Sequence, residues 1–220
     1  MAKYDKREQA LLLRKKNYPY SYIQKKLGVS KSTLSRWLGH LPLSKARIDE
    51  LRGKSEKRIE LFRNTMRAKR QVMISQSLAK ERNLIGILSK RDLKLISLAL
   101  YWAEGTKTWD SKTEITNSDP MVLATFIRWM IAEGVPLGRI KIALPLYETM
   151  NPTKEIAFWS RTLRVPQSQF YTPRIKRTSR VAHTGRVGHG TCQVIFGNRA
   201  FNDRVQAGVT HLSSLGETVK

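Results

Sequence analysis

The chain has 220 residues, with 41 Lys and Arg against 17 Asp and Glu, a formal net charge of +24 and a pI near 10.6. An excess of that size excludes the usual enzyme of small neutral metabolites and points to a polyanionic partner. An apolar content of 40% with 5 Trp excludes a simple disordered basic tail, because the chain can bury a core. No apolar run approaches the roughly 18 residues needed to cross a bilayer, and the N-terminus turns polar after Met1 and Ala2, where a secretory signal needs its apolar segment. These features predict a cytoplasmic, nucleoid-associated protein with no membrane partner. The single cysteine, Cys192, excludes an internal disulfide and reads as a small half-buried side chain. The charge is segmental: residues 1–96 carry 25 basic and 8 acidic side chains (+17), residues 97–172 carry 8 and 7 (+1), and residues 173–220 carry 8 and 2 (+6).

From Asp5 onward, Ala10 to Leu13 set among Lys and Arg predict a short amphipathic helix stopped by Asn17 and Pro19. Ser21 is the expected cap of a second helix through Ile23 and Leu27, ended by Gly28, a residue that tolerates the left-handed conformation of a helix terminus. Ser30 then caps a third helix with Leu34, Trp37 and Leu38 inward. The stretch YSYIQKKLGVSKSTLSRWL, Tyr20 to Leu38, resembles the helix-turn-helix family, with Ile23 in the first helix, Gly28 and Val29 in the turn and Leu34 in the second helix. The resemblance implies that Lys31, Ser32, Thr33, Ser35 and Arg36 face the major groove of double-stranded DNA. Arg36 can then grip a guanine edge and the hydroxyls serve phosphates or bases. Tyr18, Tyr20 and Tyr22 are further expected phosphate contacts; the alternative is a small helical bundle with a solvated basic face.

Residues 44–92 read as a basic helical linker between a helix-turn-helix domain at 1–43 and a C-terminal domain at 93–220. Ile59, Phe62, Met66 and Met73 are spaced by three, four and seven, which predicts one long helix beginning after Gly53. Its basic residues, among them Lys57, Arg63, Arg67 and Arg70, suit either a solvated face or a phosphate backbone.

The segment Leu95 to Lys107 is apolar on every side for about two and a half turns and ends in Glu104 and Gly105. Such a helix is expected to be surrounded by protein, and a carboxylate at its end must be solvated, paired with a residue such as Lys107, or bound to a metal. Lys112 to Asn117 alternates as a strand; Ser118 or Asp119 then caps a helix that has Pro120 in its first turn. Arg139 to Leu144 alternates again, with Arg139 and Lys141 on a basic face. A helix over Pro152 to Leu163 follows, then a basic strand carrying Arg174, Lys176 and Arg180, a strand at Cys192 to Phe196, and a closing helix over Phe201 to Leu212. The four histidines are scattered without metal-ligand spacing, and Trp129 and Trp159 fall on apolar helical faces. The predicted class is α+β, an all-α N-terminal part joined to a mixed C-terminal domain.

Residues 93–215 resemble a single-motif member of the LAGLIDADG homing endonuclease family. Gly105 stands on the motif's final glycine, Glu104 on its acidic, metal-binding position, and Ala99 and Ala103 on the small positions where two such helices pack. Trp102 stands where the motif has its earlier Asp, Ser97 stands at its first Leu, and the helix before the Arg174 strand departs from the family's order. The resemblance implies a homodimer pairing through Ala99 and Ala103. Two Glu104 carboxylates would then hold Mg²⁺ with the scissile phosphates, and Lys176 or Lys141 would stabilise the developing charge. The function it implies is a site-specific DNA endonuclease acting as a dimer. The alternative is a transcription regulator that uses the same fold only to grip DNA.

Overall fold

The computed structural model of the chain describes residues 2–51, 53–176 and 188–215. It is mixed α+β and divides into two compact units, Met1–Gly86 and Ile87–Lys220. Arg180 and His183 lie outside the described residues.

The first unit is helical. Its core packs α1 (Ala2–Lys15), α2 (Tyr20–Leu27) and α3 (Lys31–Leu38) around Ala10, Ile23, Leu27, Leu34 and Leu38. Gly28 ends α2 at φ 62°, and the Ser30 hydroxyl accepts from the Thr33 amide at the start of α3. The second helix begins one residue before the expected Ser21 cap: Pro19 precedes Tyr20 with no side-chain cap, since fixed proline geometry leads into the helix without one. A short α4 (Lys45–Asp49) leads to the 32-residue α5 (Lys54–Ile85).

The first turns of α5 belong to the helical bundle. The Arg14 guanidinium pairs with the Glu60 carboxylate at 2.9 Å with both side chains at 1% exposure or less, and Arg63 donates to the same carboxylate. Asn64 and Arg67 donate to the carbonyls of Leu43 and Gly39, which fastens the chain leaving α3 onto α5, and Arg14 of α1 donates to that of Leu41. Arg63 and Arg67 therefore serve the fold. The helical stripe of Ile59, Phe62, Met66 and Met73 forms as the spacing predicts, but all four are exposed, and every residue from Ala68 to Ile85 is exposed.

The second unit opens with α6 (Lys90–Glu104), whose Ser89 and Asp92 form a reciprocal capping box. A three-stranded antiparallel sheet has β5 (Cys192–Gly197) between β1 (Lys112–Asn117) and β2 (Lys141–Ala143). Its inward row, Ile115, Ile142, Val194 and Phe196, joins α7 (Pro120–Ala132), α8 (Pro152–Leu163) and α9 (Arg199–Leu215) in one core with Trp129 and Trp159. Beyond β2, a short parallel pair, β3 (Pro145–Tyr147) and β4 (Arg174–Lys176), carries on the sheet surface; the amides of Tyr171 and Arg174 donate to the carbonyls of Ile142 and Leu144. The expected strand from Arg139 to Leu144 starts later. Arg139 lies in a single 3₁₀ turn, where its guanidinium sits over the Phe196 ring, so it does not share a strand face with Lys141. Cys192 is fully buried rather than half-buried, and burial pushes its thiol pKa well up.

Candidate nucleic-acid interface

Three surfaces carry the residues that the sequence singles out. In the first unit, Leu34 and Leu38 point α3 into the core and leave Lys31, Ser32, Ser35 and Arg36 exposed. Ser32 and Thr33 hydroxyls lie 2.9 Å from the Ser30 hydroxyl, so both belong partly to the cap. Beside this face Tyr18 and Tyr22 stack at 4.3 Å, with the Lys26 ammonium over Tyr22. Tyr20 is buried between the Arg14 and Arg63 guanidiniums and is not available to a phosphate; burial raises its phenol pKa.

The second surface lies around the end of α6. Leu93, Ser97, Leu98 and Tyr101 turn inward, but Ile96, Ala99, Trp102 and Ala103 are exposed, an apolar stripe ending at Glu104. The expectation that this helix is enclosed fails within the single chain. Glu104 is exposed and makes no hydrogen bond or ion pair among the described residues. The Lys107 ammonium donates to the Gly105 carbonyl at 3.0 Å rather than to Glu104. Gly105 has a steric reason to be glycine, because a Cβ there would meet the Tyr101 ring at 2.5 Å. The loop beyond it is pinned from α9. Buried Asn202 donates to the carbonyls of Thr108 and Asp110, buried Gln206 donates to those of Thr106 and Thr108, and the Tyr101 hydroxyl donates to that of Thr106 at 2.8 Å. Glu104 thus sits on a rigid helix end with a fixed loop behind it. Ser97 is buried with a hydroxyl that has no partner among the described residues.

The outward face of the sheet is a groove of about 600 Å³. Lys112, Glu114 and Thr116 of β1 and Gln193 and Ile195 of β5 line its floor, and Tyr171, Arg174 and Lys176 its other side. Lys141 stands across β5 from Glu114, both opposite Ile195. Glu114 is held twice, accepting from the Lys112 ammonium at 2.8 Å and from the Gln193 amide. That carboxylate raises the Lys112 ammonium pKa above its ordinary value. Glu104 is not among the groove-lining residues, although the chain beside it is joined to β1, where Gly105 bridges Ile115.

The structure therefore brings Arg174 and Lys176 together as expected, sets Arg139 apart, and adds Lys112, Glu114, Gln193, Asn202 and Gln206, which the sequence reading did not single out. The alternation of Lys112, Glu114 and Thr116 was a visible signal of one strand face; Asn202 and Gln206, one helical turn apart, carried none beyond their place in an apolar helix. Among the described residues no group of three or more His, Cys, Asp or Glu is placed to hold a metal, and no helix is long and apolar enough to cross a membrane. No family model, curated protein or solved structure matches the chain.

Proposed function

We propose that the protein is a sequence-specific double-stranded DNA-binding protein that acts as a homodimer and cuts its site by phosphodiester hydrolysis. The observation that carries this reading is the exposed apolar stripe of Ile96, Ala99, Trp102 and Ala103 leading to an exposed carboxylate without a partner. Pairing two copies along the stripe would remove this apolar surface from water and bring two Glu104 side chains toward one axis. Mg²⁺ is commonly held by one or two carboxylates together with substrate phosphates, so a pair of Glu104 side chains suits it where a three-ligand protein cage is lacking. When bound, the ion would supply charge stabilisation at the phosphate and a more acidic water. In this reading α3 reads DNA through Lys31, Ser35 and Arg36, with Ser32 and Thr33 beside them. The sheet groove holds DNA through Arg174 and Lys176, with Lys141 of β2 beside them opposite Ile195, and Lys176 is the candidate to stabilise the developing charge. Arg139, set over the Phe196 ring, takes no part in this groove.

A regulator that grips DNA without cutting it is the second reading. Trp102 favours it: a 45% exposed indole occupies the position of the motif's earlier acid, within the stripe that would pair. The two are separated by incubating the full chain with its selected duplex in Mg²⁺ and in chelator. Strand cleavage in Mg²⁺ that is lost in Glu104→Gln, with binding kept, supports the nuclease. A persistent mobility shift with no cleavage in any divalent metal rules it out. Sedimentation of Ala99→Arg tests the pairing, with a change from dimer to monomer expected.

A further inference from the structure

The groove floor carries a feature that phosphate binding alone does not explain. Glu114 shares the groove with Lys112, Arg174 and Lys176, where a carboxylate works against DNA affinity, yet it is built in: its side chain is 15% exposed and held by Lys112 and Gln193. In a groove that takes duplex DNA, phosphates belong against the basic residues that line its other side, and the floor meets base edges. Register places Glu114 and Gln193 on adjacent strands with side chains on the same outward face, since Glu114 opposes Ile195 and Thr116 opposes Gln193. One N–H of the Gln193 amide goes to Glu114, and Lys112 keeps donors beyond the one it gives to Glu114. Each Glu114 oxygen accepts one of these bonds and keeps lone-pair capacity for a ligand.

Resting on the DNA-binding reading above, we infer that Lys112, Glu114 and Gln193 form a base-reading cluster that selects a C·G pair in the major groove. Glu114 accepts from the cytosine N4 amino group and, as an acceptor-only carboxylate, disfavours a thymine O4, which is itself only an acceptor; Lys112 donates to guanine O6 or N7, and Gln193 orients the carboxylate.

The test is selection of preferred sites from a randomised duplex library by the full chain, followed by affinity measurements on single-pair variants of the selected site. The expected wild-type site has a C·G pair at one fixed position of each half-site, with about tenfold or greater preference over T·A there. Glu114→Gln, nearly the same in shape, should cut that preference to threefold or less at that pair alone. Gln193→Leu should weaken it less, and Arg174→Ala should lower affinity evenly across all sequences. Unchanged base preferences in folded Glu114→Gln and Glu114→Ala, or a loss spread evenly over every position, would overturn the inference while leaving DNA binding in place. Failure of the wild-type chain to bind any duplex overturns the DNA reading itself, and this inference with it.

Discussion

Replacing Arg14 should cost far more than replacing any exposed arginine, because it leaves the Glu60 carboxylate buried with only Arg63 to meet it. Breaking a buried pair from one side typically costs about 3–5 kcal/mol, and Arg14→Ala also frees the Leu41 carbonyl. Chemical denaturation of the full chain should show that loss in the transition of the first unit, and the double change Arg14→Leu with Glu60→Leu should recover much of it. Gly105 gives a second test at a single residue. Its Cβ-free backbone lies against the Tyr101 ring, so Gly105→Ala must push the ring or the loop aside at a cost of about 1–3 kcal/mol, read as a lower denaturation midpoint of the second unit. That a glycine ends the apolar helix is legible in the sequence, but its cause is not. The ring that crowds it belongs to Tyr101, one turn earlier, where the sequence shows only an apolar helix.

At the scale of elements, helix starts were the most legible feature. Ser30 and Asp119 each accept a hydrogen bond from a first-turn amide, as small polar residues before an apolar run predict, and Ser89, which the apolar pattern does not mark, does the same for α6. Asp92 makes the α6 cap dependent on pH. The Ser89 hydroxyl and then the Ser89 amide bond its carboxylate and hold its pKa below the ordinary 3.8, so its contribution is present above that value and is lost as pH falls through the lowered one. The Tm difference between wild type and Asp92→Ala should therefore be constant near neutrality and shrink as pH falls below the ordinary 3.8. The long helix was legible in extent but not in partnership. Its spacing reads as one continuous stripe, yet only its first turns meet other elements, through polar pairs such as Glu60 with Arg14 and Arg67 with Gly39 that no hydropathy pattern announces. Hydrogen exchange should accordingly be slow over residues 57–67 and fast over 70–85, where every side chain is exposed and the helix has only its own hydrogen bonds.

For the whole molecule, the charge sums and the two apolar clusters divide the chain in similar places. One cluster lies within residues 10–38 and the other within 93–209, and the compact units meet at Gly86 and Ile87. The sequence reading put a separate linker at 44–92; the structure gives most of that stretch to the N-terminal unit, because the residues that fasten it are charged and look like surface. Each unit has its own core, so limited proteolysis should cut first around Leu84 to Leu88, all exposed, and release fragments that each unfold cooperatively. Of the net charge of +24, +17 lies in residues 1–96, but Arg14, Lys57, Arg63 and Arg67 are tied within the fold. Fewer cations are therefore free for phosphates than the sum implies, and the slope of log affinity against log salt should be correspondingly shallow, at about 0.9 per phosphate neutralised. Both fragments should bind duplex weakly. The intact chain should bind a site holding both half-elements about a hundredfold or more tightly than either fragment, since the covalent link turns the second contact into an intramolecular one. Equal affinities for the intact chain and the N-terminal fragment would show instead that the second unit does not engage the duplex, and the groove residues would lose their assigned role.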